Sequence, residues 1–195
     1  GLLAAGSPYT VSAAYSGDTN YAASTGTTTQ DVSRATATIG VTSSVSSPVS
    51  GQPISFTATI TGINPPGMGT PTGSIVFSVV GSNGTNETCQ GGDTVPLSGS
   101  SAACNFPAGL PASALNYTVS ATLQDPNYKS PVAGTLVQAI QRGQTQETVS
   151  NWPSSIVASQ SFTFDVTFKT VAPATGAPTG QFEWAVCPNS FQGVC

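Results

Sequence analysis

The chain has no histidine, and only four of its 195 residues are basic and eight acidic. Without histidine the commonest general base is missing, and none of the many serines stands in a nucleophile-elbow motif. The carboxylates are scattered singly, whereas paired-carboxylate hydrolysis needs two that converge. No catalysis is therefore expected. Four cations (Arg34, Lys129, Arg142 and Lys169) and a net charge of −4 cannot make the basic stripe that nucleic acid requires. No apolar run approaches the ~18 residues of a membrane span. There is also no Cys-x-x-Cys pair, so neither a zinc site nor another metal or cofactor is expected. No window holds a helical period.

Hydrophobic residues make up 38% of the chain, while charged ones reach only 6%, roughly a quarter of the usual share. Disordered chains are poor in Val, Ile, Phe and Tyr, which here alternate along the sequence, so the expectation is a folded chain. A surface made polar by hydroxyl and amide groups suits an extracellular or cell-surface protein. Four cysteines fit that compartment if they pair. The opening Gly1-Leu2-Leu3-Ala4-Ala5 has no basic start, and it matches an interior stretch, so it reads as part of a domain.

That interior match organises the whole chain. Residues 109–123 line up with residues 1–15 at an offset of 108, Arg142 answers Arg34, and Gln160 and Phe164 answer Gln52 and Phe56 at the same offset. Tyr128 answers Tyr21, and Pro178-Thr179-Gly180 answers Pro71-Thr72-Gly73, at 107. A period near 108 residues predicts tandem units. Residues 35–141 form one complete repeat, 1–34 the back end of a preceding one, and 142–195 the front end of a following one. The stretch matching Cys89 to Ala108 is missing from both flanks.

Within that frame Tyr9–Tyr15 alternates as a strand, residues 16–20 turn, and Tyr21 to Val32 return. Tyr117 to Leu123 and Tyr128 to Ile140 form the second copy. Tyr9 and Tyr117 follow a Gly-Leu turn, where a sandwich often bonds a tyrosine hydroxyl back to the preceding corner. Thr36–Thr42 reads as an edge strand, and residues 48–53 as a loop. Ile54–Ile60 alternates with Ile54, Phe56, Ala58 and Ile60 inward, and residues 62–73 connect it to Ser74–Val80. Thr94–Leu97 and Ala102–Phe106 are short strands. Ile75, Phe77, Tyr117, Val119 and Leu123 complete the expected core. About seven short strands per unit predict an all-β chain of tandem immunoglobulin-like β-sandwich repeats.

Thr70-Pro-Thr-Gly-Ser-Ile-Val-Phe77, the Tyr-Thr-Val-Ser-Ala strand and Tyr15-Ser-Gly-Asp-Thr-Asn-Tyr-Ala-Ala-Ser24 resemble bacterial Ig-like repeats, which occur in long arrays on surface and secreted proteins. The second copy departs from the pattern at Gln124-Asp125-Pro126-Asn127, and the cysteines are not a family hallmark. The resemblance implies scaffold, stalk or adhesive roles and no catalytic residues.

Cys89 and Cys104 are spaced for an intradomain disulfide, which would contribute about 3 kcal/mol by loop entropy. Whether Cys187 and Cys195 pair with each other is open. Asp18 with Asn20, and Asp125 with Asn127, supply too few oxygens for calcium and suit tight turns instead. Trp184 aligns with Phe77 and reads as core. Trp152 lies in a loop, where it either stacks on a sugar ring or packs at a domain junction. Arg34 and Arg142 either fix the angle between units or are solvated linker residues. Asn83, Asn86 and Asn116 lie in N-glycosylation patterns that a Thr-rich chain produces by chance.

The expected function is structural: a segment of an extracellular stalk, surface layer or filament whose partners are neighbouring Ig-like domains, head to tail, of the same or an identical chain. The alternative is an adhesin or carbohydrate-binding accessory module that meets surface glycans. The two incomplete ends are finished either by another chain or by further sequence of a longer polypeptide.

Overall fold

The computed structural model describes residues 1–187. Two compact units divide the chain, Gly1–Arg142 and Gly143–Cys195. The structure is all-β, with sheets in a curled, sandwich-like arrangement.

The first unit opens with a 3₁₀ turn at Ala4–Gly6, then a hairpin of β1 (Tyr9–Tyr15) and β2 (Ser24–Gln30). A nine-stranded sheet follows, made of β3 (Ala35–Ser43), β4 (Ile54–Asn64), β5 (Ser74–Gly81), β6 (Asn86–Glu87), β7 (Thr94–Pro96), β8 (Ser101–Phe106), β9 (Asn116–Gln124), β10 (Tyr128–Lys129) and β11 (Gly134–Ala139). Its order is β6-β5-β9-β10-β3-β4-β8, with β11 also on β9 and β7 also on β5. The short β10 runs parallel to β3 and antiparallel to β9, and so carries the sheet from one side to the other. Alternate residues then meet in one core, with Phe56 and Ala58 of β4, Ile75, Phe77 and Val79 of β5, and Tyr117, Val119 and Ala121 of β9 all buried.

Of the core residues expected within 35–141, Ile60 alone stops short of burial. It packs against the core from a part-buried position, beside a register shift at Thr38/Ile39 that interrupts the two-residue period. The other departures are in strand limits. The returning strand of the hairpin covers Ser24–Gln30 rather than Tyr21 to Val32. The stretch Tyr128 to Ile140 breaks into β10 and β11 around Pro131, which has no N–H to continue a ladder. The strand expected at an edge, β3, is flanked by β4 and β10.

In the second unit β12 (Thr145–Ser150) pairs with β13 (Asp165–Thr170). The front end of a repeat, as expected for 142–195, would hold three strands, of which residues 181–187 would form the third; they form none. An extended segment becomes a strand only where a neighbour supplies its hydrogen bonds.

Local geometry recurs along the chain. The register Tyr9↔Gln30 through Ala13↔Gly26 is repeated, each residue 108 further on, by Tyr117↔Gln138 through Ala121↔Gly134. The 3₁₀ turn at Ala4–Gly6 recurs at Ala112–Ala114. The Tyr9 hydroxyl donates to the Leu3 carbonyl at 2.8 Å, and the Tyr117 hydroxyl to the Pro111 carbonyl at 2.9 Å. At the other end, Glu147↔Phe168 through Ser150↔Asp165 repeat Ile39↔Ile60 through Thr42↔Thr57 at the same offset. The turn at Val49, whose N–H donates to Gln52 Oε1 at 3.1 Å, recurs where the Val157 N–H donates to Gln160 Oε1 at 3.0 Å.

Candidate functional site: two open sheet faces

Within residues 35–141, β9 is bonded to β11 along one edge and to β5 along the other, and its inner face lies in the core. β1, whose residues align with those of β9 at the 108-residue offset, has only β2 beside it among the described residues. Its inner face is therefore uncovered: Val11 is 49% exposed where Val119 is 0%, and Tyr21 is 69% exposed where Tyr128 is 7%. Leu2, at 53%, stands where Leu110 is at 1%. The hairpin presents an apolar face and a free backbone edge together.

The second unit has an open groove of its own. Residues 181–187 lie beside β12 and β13 and leave a groove of about 410 Å³ lined by Val149, Trp152, Phe164, Val166, Phe182 and Trp184, among others. Phe164 and Trp184 meet edge to face with centroids 5.4 Å apart, and Phe168 meets Phe182 at 5.0 Å. Trp184 is the core position that the structure leaves in the open, at 63% exposure against 2% for Phe77. Phe77 lies in β5, which pairs with β9 alongside it, and among the described residues no strand pairs with the segment that carries Trp184. Trp152 is half exposed and packs on Phe162 and Phe164 at 5.2 and 5.3 Å. At the offsets of 108 and 107, Phe162, Phe164, Phe182 and Trp184 align with Ile54, Phe56, Ile75 and Phe77, all of them buried.

The tips of the two hairpins are built alike. Asp18 Oδ1 accepts the N–H groups of Asn20 at 2.7 Å and Tyr21 at 2.9 Å. Asp125 Oδ1 accepts those of Asn127 at 2.8 Å and Tyr128 at 3.1 Å. The second oxygens differ. Asp125 Oδ2 takes the N–H groups of Thr72 and Gly73, both at 3.0 Å, from the chain leading into β5. Asp18 Oδ2 takes the Tyr15 hydroxyl at 2.7 Å, which holds the Asp18 carboxyl below its ordinary range and the Tyr15 phenol above its own. These bonds occupy both carboxylates as turn-formers. Among the described residues no three His, Cys, Asp or Glu converge on a point that could hold a metal ion.

Cys89 and Cys104 are joined by a disulfide with a Cα–Cα distance of 5.1 Å, and both are buried. The bridge ties β8, which lies beside Phe56 of β4, to the loop before β7. Cys195 lies outside the described residues, and with it the pairing of Cys187. Arg34 and Arg142 are exposed and make no hydrogen bond or ion pair to any described residue. No described helix is long and apolar enough to cross a membrane.

Two features escape the sequence. One is the double grip of Asp125 on the Thr72–Gly73 backbone. The other is the contact between the base of the first hairpin and the tip of the next, where the Ala5 N–H donates to Asn127 Oδ1 at 3.1 Å. A cavity of about 490 Å³ beside it is lined by Leu2, Leu3, Val32, Met68 and Tyr128, among others. Both join residues more than 50 positions apart, and only the shared Asp-x-Asn-Tyr pattern hints that these tips do more than turn. No protein-family model matches the chain, and no curated protein or solved structure matches it.

Proposed function

We propose that this chain is a segment of tandem immunoglobulin-like β-sandwich repeats with a mechanical role in an extracellular stalk, surface layer or filament, and with no catalytic site. The observation that carries the reading is the recurrence of backbone register, tyrosine corner and 3₁₀ turn 108 residues apart. Repetition at that scale fits an array in which each unit chiefly meets its neighbours. The disulfide fits an oxidising compartment.

Pulling the 195-residue chain from its ends tests the role. Residues 35–141 should give one discrete unfolding event. Reduction should lengthen the extension by about 50 Å, because the bridge withholds 15 residues from the stretched chain at roughly 3.3–3.6 Å each. A featureless extension without a force peak contradicts a mechanical role.

The exposed aromatic cluster around Trp152 favours a second reading, a glycan-binding module, since such rings stack on sugars. The placement of four of those rings at core positions of the complete repeat favours the first. A glycan array decides between them: binding that Trp152→Ala abolishes supports the second.

A further inference from the structure

We propose that Asn83 is a self-modifying site at the tip of the β5–β6 hairpin. The backbone nitrogen of Gly84 displaces ammonia from its side-chain amide, Thr85 polarises that amide, and aspartate or isoaspartate is left behind. The reaction lies outside the mechanical role proposed above and needs no partner but water.

The chemistry starts from one dipeptide. A backbone nitrogen reaches the side-chain carbonyl carbon of the preceding asparagine most easily where its own residue has no Cβ to obstruct the approach. Asn83-Gly84 is the only Asn-Gly pair in the chain, and every other asparagine precedes a residue with a side chain. The fold sets this pair at a free end. Strand β5 stops at Gly81 and β6 starts at Asn86. Between them Ser82 is tied down, its N–H donating to the Asn116 carbonyl at 2.8 Å and its hydroxyl to the Ala114 carbonyl. Asn83, Gly84 and Thr85 beyond it are exposed. Gly84 stands at φ +84°, and apart from its chain neighbours nothing lies within 4 Å of the place a Cβ would take. No packing therefore shields the nucleophile.

The amide is held where the reaction needs it. Asn83 Oδ1 accepts the Thr85 N–H at 3.1 Å and the Thr85 hydroxyl at 2.8 Å. These donors meet the oxygen on which negative charge develops when the Gly84 nitrogen attacks Cγ. They also hold the amide back over the turn, since a Cβ added at Gly81 would lie 2.7 Å from Asn83 Oδ1 and 2.8 Å from Thr85 Oγ1. One bond opposes the attack. The Gly84 N–H donates to the Gly81 carbonyl at 2.8 Å and must let go first. Opening an exposed tip is a low-cost local event, and it leaves the contacts between Asn83 and Thr85 in place. The bond from the Gly84 nitrogen to Cγ forms as the bond from Cγ to Nδ2 breaks, and the Gly84 proton passes through solvent to the departing ammonia. Water then opens the cyclic imide. Opening at Cγ gives aspartate, and opening at the backbone carbonyl gives isoaspartate, whose main chain is one carbon longer. Either product adds a negative charge to a hairpin that carries Glu87 on its returning strand. The longer product also disturbs Val79↔Glu87 and Val80↔Asn86, the two pairs that hold β6 on β5.

The test incubates the 195-residue chain, disulfide intact, in oxygen-labelled water at neutral pH and maps every asparagine over time. Label should enter first at residue 83, as a mixture of aspartate and isoaspartate, while Asn86, also exposed, keeps its amide. Thr85→Val, which removes the hydroxyl donor, should slow the conversion by about tenfold, and Thr85→Ser should restore the parent rate. Hydrogen exchange on β5 and β9 identifies each variant as folded, and the order of sites in the parent chain needs no variant at all. Label entering other asparagines as fast as residue 83, an amide at Asn83 that outlasts that of Asn86, or a folded Thr85→Val chain that converts at the parent rate would each overturn the proposal.

Discussion

Asp125 holds four backbone N–H groups, from Thr72, Gly73, Asn127 and Tyr128, from an almost fully buried position. Replacing it with alanine strands donors that water reaches poorly. Asp125→Ala should therefore cost about 3 kcal/mol or more in chemical denaturation, and a loss under about 1 kcal/mol would mean that the tip relaxes freely. Phe56, fully buried against Phe106 at a ring distance of 6.0 Å, should cost about 3–5 kcal/mol as Phe56→Ala. At Asp18 the folded carboxyl ionises more readily than the unfolded one, chiefly because it accepts the Tyr15 hydroxyl. The stabilisation it lends the turn is full at neutral pH and is lost as pH falls through the lowered folded value, below the ordinary Asp range. Carboxyl-resolved NMR titration should find that depressed value and see it rise toward normal in Tyr15→Phe. An unchanged titration in that variant would assign the shift elsewhere. Phe56 was legible as core because Ile54–Ile60 alternates with period two. The grip of Asp125 was not, because its partners Thr72 and Gly73 lie over 50 residues away and carry no side-chain signal of the contact.

Among the elements, the hairpins were the plainest in sequence, since Tyr9–Tyr15 and Asn116–Gln124 both read as alternating β-formers next to turn residues. Their ends were less plain. The residues after Tyr21 and after Tyr128 look equally extended, and which of them enter a ladder depends on the strand alongside. The 181–187 segment shows the same dependence from the other side. Its Phe182, Trp184 and Val186 alternate like Ile75, Phe77 and Val79, yet among the described residues they join no sheet, since the pattern alone does not make a strand. At this scale the disulfide is the testable element. It closes a loop with a sequence separation of 15, and converting Cys89 and Cys104 together to serine should lower stability by about 3 kcal/mol. An unchanged denaturation midpoint would show that the loop is already confined in the unfolded chain.

For the molecule as a whole, the period of 108 residues was readable from the sequence, while its consequence needed coordinates. Only they show that Val11 and Trp184 stand open where Val119 and Phe77 are closed. Amide hydrogen exchange along β4, β5 and β9 tests the sandwich reading most directly. It predicts that the strands carrying the buried Phe56, Phe77 and Val119 exchange slowly and together, as one cooperative unit. Amides of β5 and β9 that exchange as fast as those of an unfolded chain would contradict it.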